Sequence, residues 1–277
     1  MKLLRRLFVL LLLALLAGAA YVLYLLNRPY AGFEQEAFVE LPRGTGTRQI
    51  ADKLREAGVI RETWPFLLAR ALHPRRALQA GDYQFTRPAS VLNVFDRIAR
   101  GDIFLYELVV PEGRNLFEIG AAAEKVGVFK AEEFVRAARD PALIRDLAPQ
   151  APSLEGYLFP DTYKLRRRTT PELLCRIMTG KFREVWRGLG TQADVHQTVT
   201  LASLVEKEGK LPEERPIIAS VFLRRLQMGM RLDADPTTIY AALLEGRYRG
   251  TIYKSDLQSP HPYNTYRRTG LPPGSLR

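Results

Sequence analysis

Cysteine and histidine are scarce in this 277-residue chain, and the scarcity excludes several chemistries. The lone Cys175 cannot form an internal disulfide, and no Cys cluster exists to hold a metal. His73, His196 and His261 lie far apart, with no His-Glu-x-x-His pattern, so neither a structural zinc nor a metalloprotease site is expected, and no cofactor is called for. Extensive disorder is not expected either, because 47% of residues are hydrophobic and 26% charged, as in an ordinary globular protein. The length suffices for one large or two modest domains with cores of their own.

What the chain has in excess is positive charge and, at one end, apolar sequence. Leu7 to Leu26 is an unbroken apolar run of 20 residues, enough to cross the hydrocarbon layer as a helix. Lys2, Arg5 and Arg6 precede it and only Arg28 follows closely, so the positive-inside rule puts the N-terminus in the cytoplasm and the body outside. Ala17-Gly-Ala-Ala20 resembles the processing site of a cleaved signal peptide, but Tyr21-Val-Leu-Tyr-Leu-Leu26 continues the apolar run past it, which favours a retained single-pass anchor. Either way the body is extracytoplasmic. Its net charge of +11 points to an anionic partner. Outside the cytoplasm there is little nucleic acid to meet, and anionic phospholipid headgroups or an acidic cell-wall polymer fit the location better; charge that merely keeps the protein soluble is the plainer alternative.

Along the body, residues 27–42, with Pro29, Gly32 and Pro42, read as a linker. Beyond it, Ile50, Ala51 and Leu54 share a helical face that Gly58 ends, and a second helix covers Trp64 to Leu72. A short strand follows Ala80, and a helix capped by Ser90 closes at Gly101. A small unit of strands and helices over residues 38–105 emerges from this pattern, and it resembles the LysM-like modules of wall-active enzymes; a spacer with no glycan-binding role fits the pattern as well. A strand over Glu107 to Val110 and helices over Leu116 to Val126 and Ala131 to Arg139 come next. Their order repeats that of the first unit, with Arg48-Gln-Ile-Ala51 beside Phe117-Glu-Ile-Gly120, as a faint duplication or a common supersecondary motif. Leu154-Glu-Gly-Tyr-Leu-Phe-Pro-Asp-Thr-Tyr163 is aromatic-rich but broken by Gly156 and Pro160, hence a loop of the kind that lines sites or packs as an aromatic corner. Helices resume over Pro171 to Leu189, over a segment capped by Asp194 and stopped by Gly209, and over Pro216 to Met228. The expected class is α+β: an N-terminal transmembrane helix (1–28), the small LysM-like unit, and a helix-rich second part (106–277).

The stretch with the most chemistry is Leu201-Ala-Ser-Leu-Val-Glu-Lys-Glu208, an apolar helix ending in two carboxylates. A carboxylate where a buried helix meets a cleft can keep its proton at neutral pH, as a general acid must. On a helical wheel Leu201, Leu204, Val205 and Glu208 share one face, while Glu206 lies on the side of Ala202 and Val199. Two carboxylates at i and i+2 cannot enter one cleft together. Spacing does not choose between them, and both could be solvated.

Several motifs occur in series: Leu154 to Tyr163, Ala202-Ser-Leu-Val-Glu-Lys-Glu208, Val221-Phe-Leu-Arg-Arg-Leu226, Met230-Arg-Leu-Asp-Ala-Asp-Pro-Thr-Thr-Ile-Tyr240, Tyr263-Asn-Thr-Tyr266 and Thr269-Gly-Leu-Pro-Pro-Gly274. Together they resemble the YceG-like family of endolytic murein transglycosylases. The resemblance implies that Glu206 is the catalytic acid/base, with Glu208 and Ser203 supporting or structural. It makes Asn264, Tyr266, Asp235, Tyr163 and Tyr240 candidates for substrate contact: an amide suits an N-acetyl group, a phenol ring suits sugar stacking, and Asp235 could hold hydroxyls or order a loop. It implies peptidoglycan glycan strands as substrate, wall-synthesis glycosyltransferases and transpeptidases as partners, and a bacterial inner membrane as location. Family members continue for several dozen residues past Gly-Leu-Pro-Pro-Gly, whereas this chain ends at Arg277, so an incomplete catalytic domain is expected. A hydrolytic muramidase and a catalytically silent wall-binding scaffold are the other readings.

Overall fold

The apolar run does not lead into a loose tether. The computed structural model describes residues 2–209 and 211–276. In it α1 (Lys2–Asn27) is one helix, long and apolar enough to cross a bilayer. Its last turns carry Val22 and Leu26 into a folded core, where Leu26 is 2% exposed. Residues 27–42 are not the linker expected of them, because their backbone is tied into the fold. Tyr30 and Ala89 exchange backbone hydrogen bonds, the Gly32 amide donates to the Gly58 carbonyl, and β1 (Ala37–Leu41) lies inside the segment. Ala37, Val39 and Leu41 point inward at the two-residue period of a strand, and that burial outweighs the local Pro and Gly signals.

Two compact units divide at Leu105 and Tyr106. In the first, β1 is followed by α2 (Thr47–Glu56), α3 (Thr63–Leu72), β2 (Gly81–Phe85) and α4 (Val91–Arg100). β1 and β2 pair antiparallel from Ala37 opposite Phe85 to Leu41 opposite Gly81, and Val39 and Tyr83 face the helices across a core of Leu54, Phe66, Phe95 and Ile98. Ser90 caps α4 by accepting from the Asn93 amide at 3.3 Å, and Gly101 ends it in the left-handed region at φ +72°.

The second unit opens with β3 (Tyr106–Val110), α5 (Leu116–Val126), α6 (Ala131–Ala138), β4 (Asp161–Leu165) and α7 (Pro171–Gly188). β3 pairs antiparallel with β4, with Leu108 opposite Tyr163. Leu108, Phe134, Tyr157, Leu174 and Met178 belong to one core. α8 (Val195–Glu208), α9 (Arg215–Gln227), α10 (Asp235–Leu244) and the short α11 (Lys254–Leu257) surround a second, around Leu204, Phe222, Leu232 and Tyr263. Gly209 ends α8 without a left-handed turn, at φ −88°. A Cβ there would stand 3.0 Å from Ile218 Cδ1 and 3.2 Å from the Val205 carbonyl oxygen, close enough that a neighbour would have to yield by a few tenths of an ångström. The described residues form a helix-rich α+β protein with two small sheets.

Candidate active-site cleft

α8 presents Val199, Ala202, Ser203 and Glu206 at i, i+3, i+4 and i+7, one stripe of a helix. That stripe walls a cavity of about 330 Å³, closed by Gly156, Leu158, Phe159 and Pro160 of the loop before β4, by Phe182 and Trp186 of α7, and by Ser275. A second cavity of about 320 Å³ shares Glu206 and the same loop, and adds the Val110–Arg114 turn and Arg215. Glu206, half-buried, therefore stands where two lobes meet. One lobe is largely apolar, with the Phe182 and Trp186 rings stacked 6.2 Å apart; the other is rimmed by Glu112, Arg114 and Arg215.

Each wall has a local cause. Gly156 adopts φ +89°, and a Cβ would lie 2.5 Å from Ser275 Cβ and 2.7 Å from Val199 Cγ1, so the loop comes against α8 and the C-terminal segment only as glycine. That segment is held in turn. The Leu276 amide donates to Ser203 Oγ at 3.2 Å, Ser203 donates to the Thr200 carbonyl at 2.7 Å, and His196 Nε2 lies 3.0 Å from the Pro273 carbonyl. Lys207 Nζ donates to the Gly113 carbonyl at 3.1 Å, fastening the end of α8 to the polar lobe's turn.

Behind the loop sits a carboxylate that spacing did not single out. Glu155 is 3% exposed. Both its oxygens accept from the Leu116 amide at 3.1 Å, and Oε2 accepts from Tyr240 Oη at 2.7 Å. Burial pushes its carboxyl up to about 7, against the opposing pull of the Tyr240 and Leu116 hydrogen bonds and the charge of Lys207. The available signal was a single acid inside the apolar run Leu154 to Phe159. Trp186 and Phe182 also went unnoticed; their sign was an apolar pair at i and i+4 on α7.

The structure does not gather all the expected site residues in the cleft. Glu206 and Ser203 line it; the other expected residues are absent from the lining of both lobes. Asn264 is fully buried, its amide donating to the carbonyls of Asp256, Leu257 and Ser259 and its oxygen accepting from the Tyr266 amide, so its polar atoms serve the loop that contains it. Tyr163 is buried and donates to the Phe159 carbonyl at 2.5 Å, which positions a lobe wall from behind. Tyr240 holds Glu155. Tyr266 Oη donates to Asp235 at 2.6 Å in an exposed pair. Glu208 is exposed on the same side of α8 as this pair, its carboxyl raised by partial desolvation and then by the charge of Asp235. Among the described residues no group of three or more His, Cys, Asp or Glu is placed to hold a metal ion.

A half-buried carboxylate between two lobes can give and take one proton on a bond that lies across their junction. The chain has relatives among known proteins. The model of the YceG-like family matches residues 39–277. Proteins named endolytic murein transglycosylase from Bacillus subtilis (strain 168) and Streptococcus pneumoniae (serotype 2, strain D39) are 29% identical to it, over 86% and 94% of this chain. The chain spans 71% of the length of the first and 53% of the second, about half. A YceG-like protein of Listeria monocytogenes, known from a crystal structure, is 27% identical and superposes with a TM-score of 0.55, covering 87% of this chain and 86% of that one. With the family match running from β1 to the last residue, the chain belongs to the YceG-like family.

Proposed function

We propose that the chain is a membrane-anchored endolytic peptidoglycan transglycosylase in which Glu206 is the sole catalytic acid/base. The observation that carries this reading is the position of Glu206 at the junction of the two lobes, on a helix fastened at its end by Lys207 and along its length by Ser203. The names of the curated relatives point to murein as the substrate, and in this reading the bond cut is the glycosidic link between N-acetylmuramic acid and N-acetylglucosamine. Glu206 protonates the glycosidic oxygen as the bond to C1 breaks. As carboxylate it then takes the proton of the same sugar's 6-hydroxyl, whose oxygen closes on C1. The product is a 1,6-anhydro ring, and no water is consumed. Ordinary glycosidases need a second carboxylate as nucleophile or base; here the nucleophile belongs to the substrate. The loop of Leu158 to Pro160 and the Trp186 face would hold the sugar rings in line for that closure. Glu208 and Ser203 act by shaping the helix end.

In this reading α1 spans the inner membrane once with the N-terminus inside, the first unit is a LysM-like module that holds glycan, and residues 106–277 are the catalytic domain. The cut strands would be nascent ones, which places wall-building glycosyltransferases and transpeptidases nearby. Digestion of purified peptidoglycan by the detergent-solubilised chain, read by mass spectrometry, tests it. Termini lighter by about one water than reducing muramic acid are expected. Ordinary reducing ends would make the protein a hydrolytic muramidase, and no cleavage with retained glycan binding would make it a scaffold.

A further inference from the structure

α1 enters the first unit without a break, and this fixes what stands at the bilayer boundary. A run of 20 residues spans about 30 Å. With Leu7 to Leu26 in the hydrocarbon, Leu25 comes at its edge and Arg28 just beyond, at the depth of the lipid phosphates. Leu26 is at the same time part of the unit's core. The unit cannot stand off from the membrane, and some of its own surface lies at headgroup level.

That surface holds a cavity of about 110 Å³ between the end of α1 and the start of α3. Leu25 and Pro65 give it an apolar wall, Arg28 and Arg61 bring two guanidinium groups, and Glu62 contributes a carboxylate. Trp64, also in the lining, is 43% exposed. Each arginine is held against a ring, Arg28 5.8 Å from the Tyr24 centroid and Arg61 5.5 Å from that of Tyr30. Indole and phenol rings favour the membrane–water boundary, where an apolar body and a polar edge are both satisfied. Guanidinium groups there meet phosphate oxygens in a planar, paired geometry that an ammonium lacks.

We propose that this cavity binds the phosphate of a phospholipid headgroup, with anionic lipid preferred over zwitterionic, and so seats the first unit on the bilayer. The proposal rests on the reading of α1 as a retained anchor. Its effect is to confine whatever the first unit holds to polymer lying next to the membrane.

The chain has two tryptophans, so Trp186→Phe leaves Trp64 as the sole reporter. The full-length variant is reconstituted in nanodiscs of graded phosphatidylglycerol content in phosphatidylcholine, some carrying lipids brominated at shallow or deep acyl positions. Wild-type emission minus that of Trp64→Phe gives the same signal should the first variant fold poorly. Expected are shallow quenching of Trp64 that grows with anionic lipid, and an affinity about fivefold weaker for each arginine changed to Gln at Arg28 or Arg61. In the double variant quenching should no longer reach half its maximum at any composition of the series. A Trp64 signal indifferent to brominated lipid in chains that do enter nanodiscs would overturn the seating and leave the anchor standing. Chains that never enter nanodiscs would overturn the anchor first, and the seating with it. Loss of the anionic preference on adding millimolar inorganic phosphate would make this a free-phosphate site and overturn the headgroup assignment.

Discussion

Residues 37–100 and 106–188 contain the same β-α-α-β-α succession twice, and the two copies differ most in one connection. Gly44 and Gly113, each in the turn after its first strand, have φ +83° and +82°. Gly46 and Asn115 occupy the caps of α2 and α5, and Gln49 and Glu118 reach back to those caps' amides at 3.2 and 3.0 Å. Ile50 and Ile119 are buried one turn later, and Gly58 and Gly127 come after the helices with positive φ. Val39 pairs with Tyr83 as Leu108 pairs with Tyr163, and each tyrosine donates to the carbonyl four residues before it. Ser90 and Thr170 cap the closing helices. Between the second helix and the second strand, however, the first copy needs only residues 73–80 while the second uses 139–160. That longer segment carries Glu155, Gly156 and the Leu158–Pro160 wall. The scaffold is shared, and the added loop supplies walls of the candidate cleft that Glu206 of α8 also lines. Topology alone therefore does not tell which copy borders the candidate cleft.

The largest effect is expected at Glu206, which lies beyond both copies in the chain and has a counterpart in neither. Glu206→Gln should lower cleavage by about a hundredfold to ten-thousandfold, the range for loss of a general acid, with the melting temperature unchanged. Cleavage at wild-type rate would remove the function from this cleft altogether.

Next in size is Glu155, the buried carboxylate that only the second copy possesses. Glu155→Ala leaves the Leu116 amide and the Tyr240 hydroxyl facing a cavity without their acceptor and should cost roughly 2–4 kcal/mol, read in urea denaturation. The pH dependence has a definite sign. With a folded carboxyl near 7 and an unfolded one near 4.5, the folded state keeps a proton that the unfolded state releases between those values. The site's contribution is full below about 4.5, declines as pH rises, and has lost roughly 3 kcal/mol above about 7. Glu155→Gln should flatten that slope.

The matched tyrosines test whether the loop, and not the scaffold, carries activity. Tyr83→Phe and Tyr163→Phe each remove a hydroxyl bonded to a carbonyl and should each cost about 1 kcal/mol. Only Tyr163→Phe frees Phe159, which lines both lobes, so only it should slow cleavage, by a few-fold in kcat/KM. Equal losses of activity would mean that both copies serve the cleft alike.

How much of the fold could be read from the chain depends on the range of the interactions. The span of α5, Leu116 to Val126, was legible, and the structure bounds it locally, with Asn115 and Glu118 at its start and Gly127 at its end. α8 was legible from Asp194 and its apolar face. β1 was not, because its partner strand lies some forty residues on and its flanks hold Pro29, Gly32 and Pro42. Glu155 was hidden for the same reason: its partners are 39 and 85 residues away. Asn264 shows the converse. Its residue type suits a sugar amide, yet the carbonyls of its own loop, five to eight residues back, use its amide hydrogens. Motif order pointed to Glu206 where the wheel left Glu206 and Glu208 equal, and it is the loop folded against α8 that separates the two sides of the helix.

The smallest effect sharpens the comparison most finely, because it exchanges one atom group between equivalent caps. Asn115 Oδ1 accepts from the Phe117 and Glu118 amides at 3.1 and 3.0 Å, whereas Gly46 has no side chain to offer α2. Gly46 nevertheless holds φ −68° and ψ 153°, an extended conformation open to any residue, and a Cβ there would meet only Gln49 Oε1 at 3.9 Å. Gly46→Asn should therefore import the cap without strain and stabilise the first unit by a few tenths of a kcal/mol. Asn115→Gly should cost the second unit a similar amount, and Asn115→Ala about 1 kcal/mol, because alanine neither accepts nor leaves the amides open to water. Hydrogen exchange of the first-turn amides of α2 and α5 reads each change in its own helix. If Gly46→Asn left α2 exchange unaltered while Asn115→Ala accelerated that of α5, the two caps would not be equivalent, and the correspondence between the copies would stop at their backbones.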